Sequence, residues 1–212
     1  MYTLYGFPNT RSFRVLWALE EAQVNYDYQV VNLYQGEHKQ ANYLALSPMA
    51  KVPLLKTPEG VLAESPAILA YLAAHHGAPL LPDSTDLFVT GKVFEMQSFI
   101  ACELEQPLWT MAKHTFALPE ERRVKKVKET AKWEYERALK VFSSMLNDNA
   151  YATGTQFSYA DILAVHTLNW AKNANMPCQF DNVKHYCETV MRREAYQRAL
   201  QKEQEKLASF NK

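Results

Sequence analysis

The sequence contains little cysteine. Its 212 residues include three cysteines, Cys102, Cys178 and Cys187, and no two of them have the C-x-x-C spacing. Because the number is odd and the spacing is wrong, the pattern favours neither a disulfide framework nor a zinc site, and we expect no metal. Thiols that stay reduced are typical of a cytoplasmic protein, which is the localisation that we expect.

The sequence also lacks net charge, long apolar runs and a leader-like start. Lysine plus arginine equals aspartate plus glutamate at 23 each, which gives no electrostatic reason to expect nucleic acid or an anionic membrane as a partner. No apolar stretch approaches the ~20 residues that span a bilayer. The first residues show no basic segment followed by an apolar one, so we expect no signal peptide.

The composition is that of a globular protein whose texture changes once. Hydrophobic residues make up 48% and charged residues 22%, so a sizeable core is expected and long disorder is not. Up to about residue 82, proline and glycine punctuate short apolar runs, whereas the later stretches 92–106 and 120–151 contain neither. We predict a first domain at 1–77, a linker at 78–86 and a second domain at 87–212.

The first domain alternates short strands and helices. Strand-like runs at 3–5, 26–31, 52–56 and 61–63 are separated by helical patterns at 12–23, 37–46 and 65–75, with Ser65 as N-cap and Pro66 as first helical residue. The order β-α-β-α-β-β-α predicts a mixed four-stranded sheet with helices, an α+β domain. The second domain has helical patterns throughout, which predict an all-α bundle. These patterns cover 88–113, 120–147, 158–173 and about 181–208.

Two motifs lie in the second half of the first domain. Val52-Pro53 opens a predicted strand, and Glu64-Ser65 precedes a predicted helix. A cis X–Pro bond costs only about 0.5–1 kcal/mol and turns the chain sharply, which would expose the backbone N–H and C=O of Val52. A helix N-terminus at Ser65 is a carboxylate site, and Glu64 can receive an ammonium group. An ordinary trans proline and a plain N-cap are the alternatives.

A third motif lies in the second domain. Ser158 and Asp161 have the spacing of a capping box, and Phe157 and Ile162 occupy the hydrophobic-staple positions around it. The box starts a helix, so we predict a folding role for Asp161 and not that of a catalytic acid.

The three motifs and the two-domain order resemble the cytosolic glutathione S-transferases, with a serine-class-like pattern of bacterial and plant type, over nearly the whole chain. The resemblance implies a thioredoxin-like N-terminal domain, glutathione as co-substrate, and a homodimeric detoxification enzyme. It also implies that the Val52-Pro53 bond is cis, that Val52 pairs with the cysteinyl backbone of glutathione, and that Glu64 and Ser65 hold the γ-glutamyl group.

The segment Glu37-His38-Lys39 resembles the part of plant-type members that reaches the glycine carboxylate of glutathione. His38, Lys39 and Lys51 are therefore expected glutathione ligands. For each lysine, an ordinary solvated surface charge is the alternative interpretation.

The position that activates the sulfur departs from the family pattern. A free thiol has a pKa near 8.5, so a hydrogen-bond donor must stabilise the thiolate. Comparison with the serine classes places their activating serine at Asn9, whose amide can donate a hydrogen bond but has no hydroxyl. Thr10 and Ser12 are the hydroxyl alternatives, and helix capping is another interpretation of both.

Other residues near this position have two interpretations each. Tyr5 stands where the tyrosine classes keep their donor, but it also fits an inward position of the first strand, which we favour. Arg11 or Arg14 would add positive potential near the sulfur or lie exposed. The second substrate needs apolar walls with few polar groups, although core packing is the alternative for aromatic residues. The residues predicted to form its site are Phe7, Trp109 and His114, together with Phe116.

These observations predict a transferase that conjugates the glutathione thiolate to a small hydrophobic electrophile. A glutathione-dependent disulfide or peroxide reductase on the same site is an alternative, because Asn9 replaces the usual hydroxyl. A non-catalytic interaction protein of the same fold is another. A transferase that uses its own N-domain thiol is excluded, because no cysteine precedes Cys102.

Overall fold

The computed structural model describes residues 1–83 and 85–210. Ser84, in the predicted linker, and Asn211 and Lys212, at the end of the predicted second domain, lie outside the described residues. The chain divides into two compact units: the first comprises Met1–Asp83 and the chain from Met191 onward, and the second extends to Val190.

The first unit is built on a small mixed sheet, and the second is helical. In chain order the elements are β1 (Tyr2–Gly6), α1 (Ser12–Glu21), β2 (Tyr26–Val30), a 3-10 turn (Glu37–Lys39), α2 (Ala41–Leu44), β3 (Leu54–Lys56), β4 (Val61–Ala63), α3 (Ser65–His76), α4 (Leu87–Phe99), α5 (Glu105–Ala112), α6 (Val127–Leu146), α7 (Tyr159–Asn173), α8 (Asp181–Met191) and α9 (Glu194–Phe210). The predicted order of elements in the first domain and the thioredoxin-like fold class are confirmed.

The sheet brings four chain connections to one edge. Its strand order is β2-β1-β3-β4, in which β1 and β2 are parallel and β3 is antiparallel to β1 and β4. The register pairs Gly6 with Val30, Tyr5 with Leu54, and Leu54 with Ala63. The ends of β1, β2 and β4 therefore lie at the same edge as the start of β3, and the segments attached there are neighbours in space.

Helix α1 forms the centre of the first unit, and all ten of its residues are buried. It packs against β1, α3 and α9. Because apolar partners cover it on several sides, its polar side chains must find partners inside the unit. The most buried of the charged ones is Arg14, which is 1% exposed.

Helix α9 belongs to the first unit, whereas the predicted boundary at residue 87 assigns it to the second domain. The reason is a set of ion pairs with α1. Arg193 Nε lies 2.6 Å from Glu21 Oε1, and Arg198 Nε lies 3.0 Å from Glu20 Oε2. Burial alone would raise the pKa of Glu20, but the hydrogen bonds from Lys202, Tyr26 and Arg198 together outweigh it and hold the pKa below its ordinary value.

The second unit contains a long helical run, α4 to α5, that includes a π-helical turn at Ile100–Leu104 and continues into another at Lys113–Ala117. Pro107 lies just after the first turn, and a proline removes one helical hydrogen bond and crowds the preceding turn. The helix predicted at 120–147 begins later than expected: a 3-10 turn at Glu120–Arg122 precedes α6. In the part of the chain that the structure describes, no helix is long and apolar enough to cross a membrane.

Helix α7 begins at the predicted capping box, which is confirmed. Asp161 Oδ2 accepts a hydrogen bond from the Ser158 N–H at 2.8 Å, and its Oδ1 accepts from the Ala152 N–H at 2.7 Å and from the Tyr186 hydroxyl at 2.8 Å. Every acceptor is therefore committed to protein groups, in line with the folding role predicted for Asp161.

Candidate functional site

The loop after β1 is held by two hydroxyl side chains. The Phe7 N–H donates to Ser12 Oγ at 3.1 Å, Thr10 Oγ1 donates to Phe7 O at 2.6 Å, and the Ser12 N–H donates to Thr10 Oγ1 at 3.2 Å. Ser12 is fully buried. A Cβ at Gly6 would lie 2.7 Å from Ser12 Cβ, so the loop can pack this closely only on glycine. Thr10 and Ser12 thus shape the loop.

Asn9 differs from its hydroxyl neighbours because it is exposed. Its φ of 59° lies in the left-handed region, which asparagine tolerates better than most residues. Its backbone N–H donates to Glu203 Oε1 of α9 at 3.0 Å. Within the described residues its side-chain amide has no hydrogen-bond partner. Asn9 is therefore the predicted sulfur ligand that offers an uncommitted donor at the surface.

The Val52-Pro53 bond is cis, as the resemblance predicts. The chain before it is fixed by Tyr43, whose hydroxyl donates to Lys51 O at 2.7 Å, and Val52 itself packs against the cluster of Val31, Tyr43 and Leu54. Among the described residues, neither the N–H nor the C=O of Val52 has a hydrogen-bond partner. A free donor and acceptor on one residue at a sheet edge can pair with an extended peptide.

The start of α3 lies at the same sheet edge. Ser65 is the first helical residue and not the N-cap, because Glu64 takes that position with φ 65°. Arg14 Nη1 donates to Ser65 Oγ at 3.3 Å, which joins α1 to the start of α3 inside the core. Glu64 is exposed, and in the described part of the chain its carboxylate has no partner. The link from Arg14 was missed in the sequence, which offers no local signal for a contact across 51 positions.

The predicted carboxylate ligands lie in two segments attached to this edge. His38 and Lys39 form part of the 3-10 turn after β2, and Lys51 precedes the cis proline; both lysines are exposed. Burial, with a further contribution from the Lys39 charge, lowers the pKa of His38. Its Nδ1 is buried without a hydrogen-bond partner among the described residues.

The residues predicted to contact a second substrate have different environments. Phe7 is buried, and its ring meets that of Tyr34 edge-on at 5.2 Å. Trp109 lies on α5, and His114 Nδ1 accepts a hydrogen bond from the Val124 N–H at 3.0 Å, a contact within the second unit. Tyr5 occupies β1, with its ring 6.5 Å from that of Tyr43. Arg11 is the half-buried N-cap of α1.

A cavity of about 580 Å³ lies within the second unit, and the sequence pattern does not predict it. Its walls are apolar and its rim carries three lysines from the start of α6 and the segment before it. Phe116 contributes to it and is 68% exposed, whereas Trp109 and His114 do not line it. The other lining residues include Leu108, Met111, Trp170, Lys125, Lys128, Glu129 and Lys132.

Comparison with known proteins agrees with this geometry. Residues 1–74 match the family model described as the glutathione S-transferase N-terminal domain, and residues 106–194 match that of the C-terminal domain. Glutathione S-transferase 2 of Saccharomyces cerevisiae is 32% identical over 176 residues, which cover 81% of this chain and 75% of that protein. A glutathione S-transferase of Hyoscyamus muticus is 27% identical over 208 residues, which cover 90% of this chain and 93% of that protein.

A solved structure gives the same result in three dimensions. The crystal structure of a glutathione transferase from Methylococcus capsulatus has a TM-score of 0.83 and 26% identity, covering 96% of this chain and 98% of that one. The sheet edge with its cis proline, the helical second unit and both domain matches lead to one conclusion. The chain belongs to the glutathione S-transferase family of enzymes.

Proposed function

We propose that this enzyme binds glutathione at the sheet edge, ionises its thiol and transfers the thiolate to the electrophilic carbon of a small hydrophobic compound. The observation that carries the proposal is the free backbone N–H and C=O of Val52 beside the cis proline. These groups pair with the cysteinyl part of glutathione as an added strand would. The enzyme acts in the cytoplasm in this proposal.

The two ends of glutathione are held by charge. The exposed carboxylate of Glu64 receives the ammonium of the γ-glutamyl group, and the Ser65 end of α3 receives its carboxylate, because helix N-termini favour anions. His38, Lys39 and Lys51 receive the glycine carboxylate. The unpartnered Nδ1 of His38 supports this assignment, since a buried ring nitrogen without a partner is suited to a hydrogen bond from ligand or water.

The sulfur is activated by Asn9. Its exposed amide donates a hydrogen bond that favours the thiolate over the thiol, while Thr10 and Ser12 keep the loop in shape. The thiolate then attacks the electrophile, a new carbon–sulfur bond forms, and the leaving group departs with the bonding electrons. This arrangement corresponds to a serine-class-like enzyme in which asparagine takes the place of serine.

The test is a titration of glutathione bound to the wild-type protein, followed by the ultraviolet absorbance of the thiolate. We expect the pKa of the bound thiol to lie below the free value of about 8.5, and we expect the protein to be retained on immobilised glutathione. Retention together with an unshifted pKa would contradict thiolate activation but leave glutathione binding standing.

A second activity on the same site is favoured by one observation, the amide in place of a hydroxyl at Asn9. This activity is the reduction of a mixed glutathione disulfide or a peroxide by bound glutathione. Parallel assays on an aryl halide and on a mixed glutathione disulfide distinguish it from conjugation.

We also propose a homodimer, by analogy with the family; sedimentation equilibrium of the full chain tests this directly.

A further inference from the structure

Glu203 makes a contact for which the family motifs give no reason. It lies on α9, is 8% exposed, and its Oε1 accepts the hydrogen bond from the Asn9 N–H at 3.0 Å. The two residues are 194 positions apart, and both belong to the first unit. The last helix of the described chain therefore contacts the loop after β1 at the residue whose side chain faces outward.

The position of Glu203 is fixed by the rest of α9. Arg193, directly before α9, pairs with Glu21, and Arg198 pairs with Glu20, so the start of the helix is attached to α1 by ion pairs. Ala199, one turn before Glu203, is fully buried. The carboxylate is thus carried on a helix whose orientation does not depend on the loop that it contacts.

A carboxylate in this place is costly for packing alone. Burial raises the pKa of Glu203 to about 7, and the Asn9 N–H opposes this by favouring the charged form. No cation pairs with it among the described residues. Burial, with a further contribution from the charge of Glu203, raises the pKa of the Tyr28 phenol on β2. Lys206, on α9, lies over the Tyr28 ring at 5.7 Å. An apolar side chain at position 203 would avoid this desolvation cost, so packing alone does not account for the carboxylate, whereas its role as hydrogen-bond acceptor does.

We propose that Glu203 is a positioning residue for the sulfur: it holds the Asn9 backbone in the left-handed conformation and so directs the Asn9 amide toward bound glutathione. The proposal rests on the function proposed above, because Glu203 acts through Asn9 and touches no substrate. A charge-assisted hydrogen bond to a backbone N–H is short and directional, and it can keep a loop residue in a conformation that is otherwise sparsely populated.

The experiment compares three variants of the full chain. Glu203→Met removes the acceptor and keeps the volume, Glu203→Gln keeps an acceptor without the charge, and Arg198→Met weakens the attachment of α9 without touching Asn9. For each variant we measure the pKa of the bound thiol, kcat/KM for an aryl halide, affinity for glutathione, and the exchange rate of the Asn9 amide hydrogen.

We expect Glu203→Met to accelerate exchange at the Asn9 amide, to raise the pKa of the bound thiol, and to lower kcat/KM on the order of tenfold, since small misplacements of a reacting group cost rate steeply. Affinity for glutathione stays within a few-fold, because Val52 and Glu64 are unchanged. Glu203→Gln keeps most of the wild-type kcat/KM, because it keeps the acceptor. It removes the ionisation near pH 7 from the pH profile of the rate. Arg198→Met lowers thermal stability, but it leaves the pKa of the thiol unchanged because the Arg193–Glu21 pair and buried Ala199 still hold α9.

Three results overturn the proposal: an unchanged pKa of the bound thiol in Glu203→Met, an equal rise in Arg198→Met, or an Asn9 amide that exchanges no faster without the carboxylate. An equal rise in Arg198→Met would show that the attachment of α9 as a whole, and not the hydrogen bond from Asn9 to Glu203, sets the pKa of the thiol. A wild-type thiol that titrates like free glutathione is a different result, because it removes the proposed function and this proposal together. The amide exchange rate is measured without substrate, so a failure of Glu203 and a failure of the proposed function are distinguishable.

Discussion

Two regions at one edge of the sheet are built in opposite ways. At the β3–β4 end, the proposed binding groups are backbone atoms of Val52 and the first residues of α3, and their positions follow from a cis proline and a strand register. In the loop after β1, the proposed binding group is one side chain, Asn9, and the loop that carries it is held by hydroxyls within the loop and by a carboxylate from α9. In the function that we propose, recognition of glutathione therefore depends on residues close in sequence, whereas activation of its sulfur does not.

The strongest test of this comparison removes a recognition group. We expect Glu64→Gln to weaken glutathione affinity on the order of a hundredfold, because a hydrogen bond to a charged group contributes about 1.5–3 kcal/mol. The thiol pKa of the glutathione that still binds stays low, because Asn9 is unchanged. Isothermal titration calorimetry measures the affinity.

The control for Glu64→Gln is Glu59→Gln. Glu59 lies in the β3–β4 turn, at the other end of the hairpin, where it accepts a hydrogen bond from Thr57 at 2.8 Å. Its replacement leaves glutathione affinity unchanged. If both variants lose affinity equally, Glu64 has no specific role in recognition.

A second test distorts the loop without removing its side chains. We expect Gly6→Ala to lower the free energy of unfolding by about 1–3 kcal/mol, because its Cβ would lie 2.7 Å from Ser12 Cβ and the loop must shift. We expect a larger change in the pKa of the bound thiol than in the retention of the protein on immobilised glutathione. Thermal denaturation and the thiolate titration measure the two effects.

The matched control is Gly91→Ala in α4, where an added Cβ meets no atom within 4 Å. Alanine favours a helix over glycine by up to about 1 kcal/mol, so this variant is as stable as wild type or more so. A Gly6→Ala protein with wild-type stability and an unshifted thiol would show that the loop tolerates a side chain, against the close packing described here.

A third test removes the activating group. We expect Asn9→Ala to raise the pKa of the bound thiol by about one unit, equivalent to about 1.4 kcal/mol, while affinity for the peptide parts of glutathione stays within a few-fold. Asn9→Ser returns the hydroxyl of the serine classes and restores a low pKa. If Asn9→Ala leaves the pKa unchanged, another group activates the sulfur and the division between the two regions fails.

A fourth test concerns the dependence of stability on pH. Burial raises the pKa of Glu203 to about 7 in the folded protein, above the value of about 4.3 expected in the unfolded chain. The folded state then holds a proton that the unfolded state has lost, so stability falls as pH rises through this window. We expect wild type to lose about 1 kcal/mol per pH unit relative to Glu203→Gln between roughly pH 5 and pH 7. Urea denaturation at several pH values measures it, and parallel curves for the two proteins would contradict the raised pKa.

The sequence predicts the local structure around Val52-Pro53 and Glu64 well and that of the loop after β1 less well, for a physical reason. Val52, Pro53 and Glu64 lie within one hairpin, so their spacing alone brings them together. The contact between Asn9 and Glu203 joins residues whose separation no helical or strand period can reveal. The same limit applies to α9: its basic residues and the acids of α1 each look like ordinary helix charges, and only the fold shows that they pair. The sequence pattern predicts Ser65 as the N-cap of α3, whereas Ser65 is the first helical residue. Glu64 takes the N-cap position with a positive φ, which is unusual for glutamate.

The attachment of α9 to α1 also bears on how the protein is made. Glu20 and Glu21 are buried, and their cationic partners Arg193 and Arg198 are among the later residues to leave the ribosome. Until those residues emerge, a nascent first unit holds two acids without their partners, and the aromatic contact of Trp17 with Tyr196 is missing as well. The part of the enzyme that is translated first is therefore completed late, and a fragment that ends after α3 is expected to need a chaperone or to aggregate.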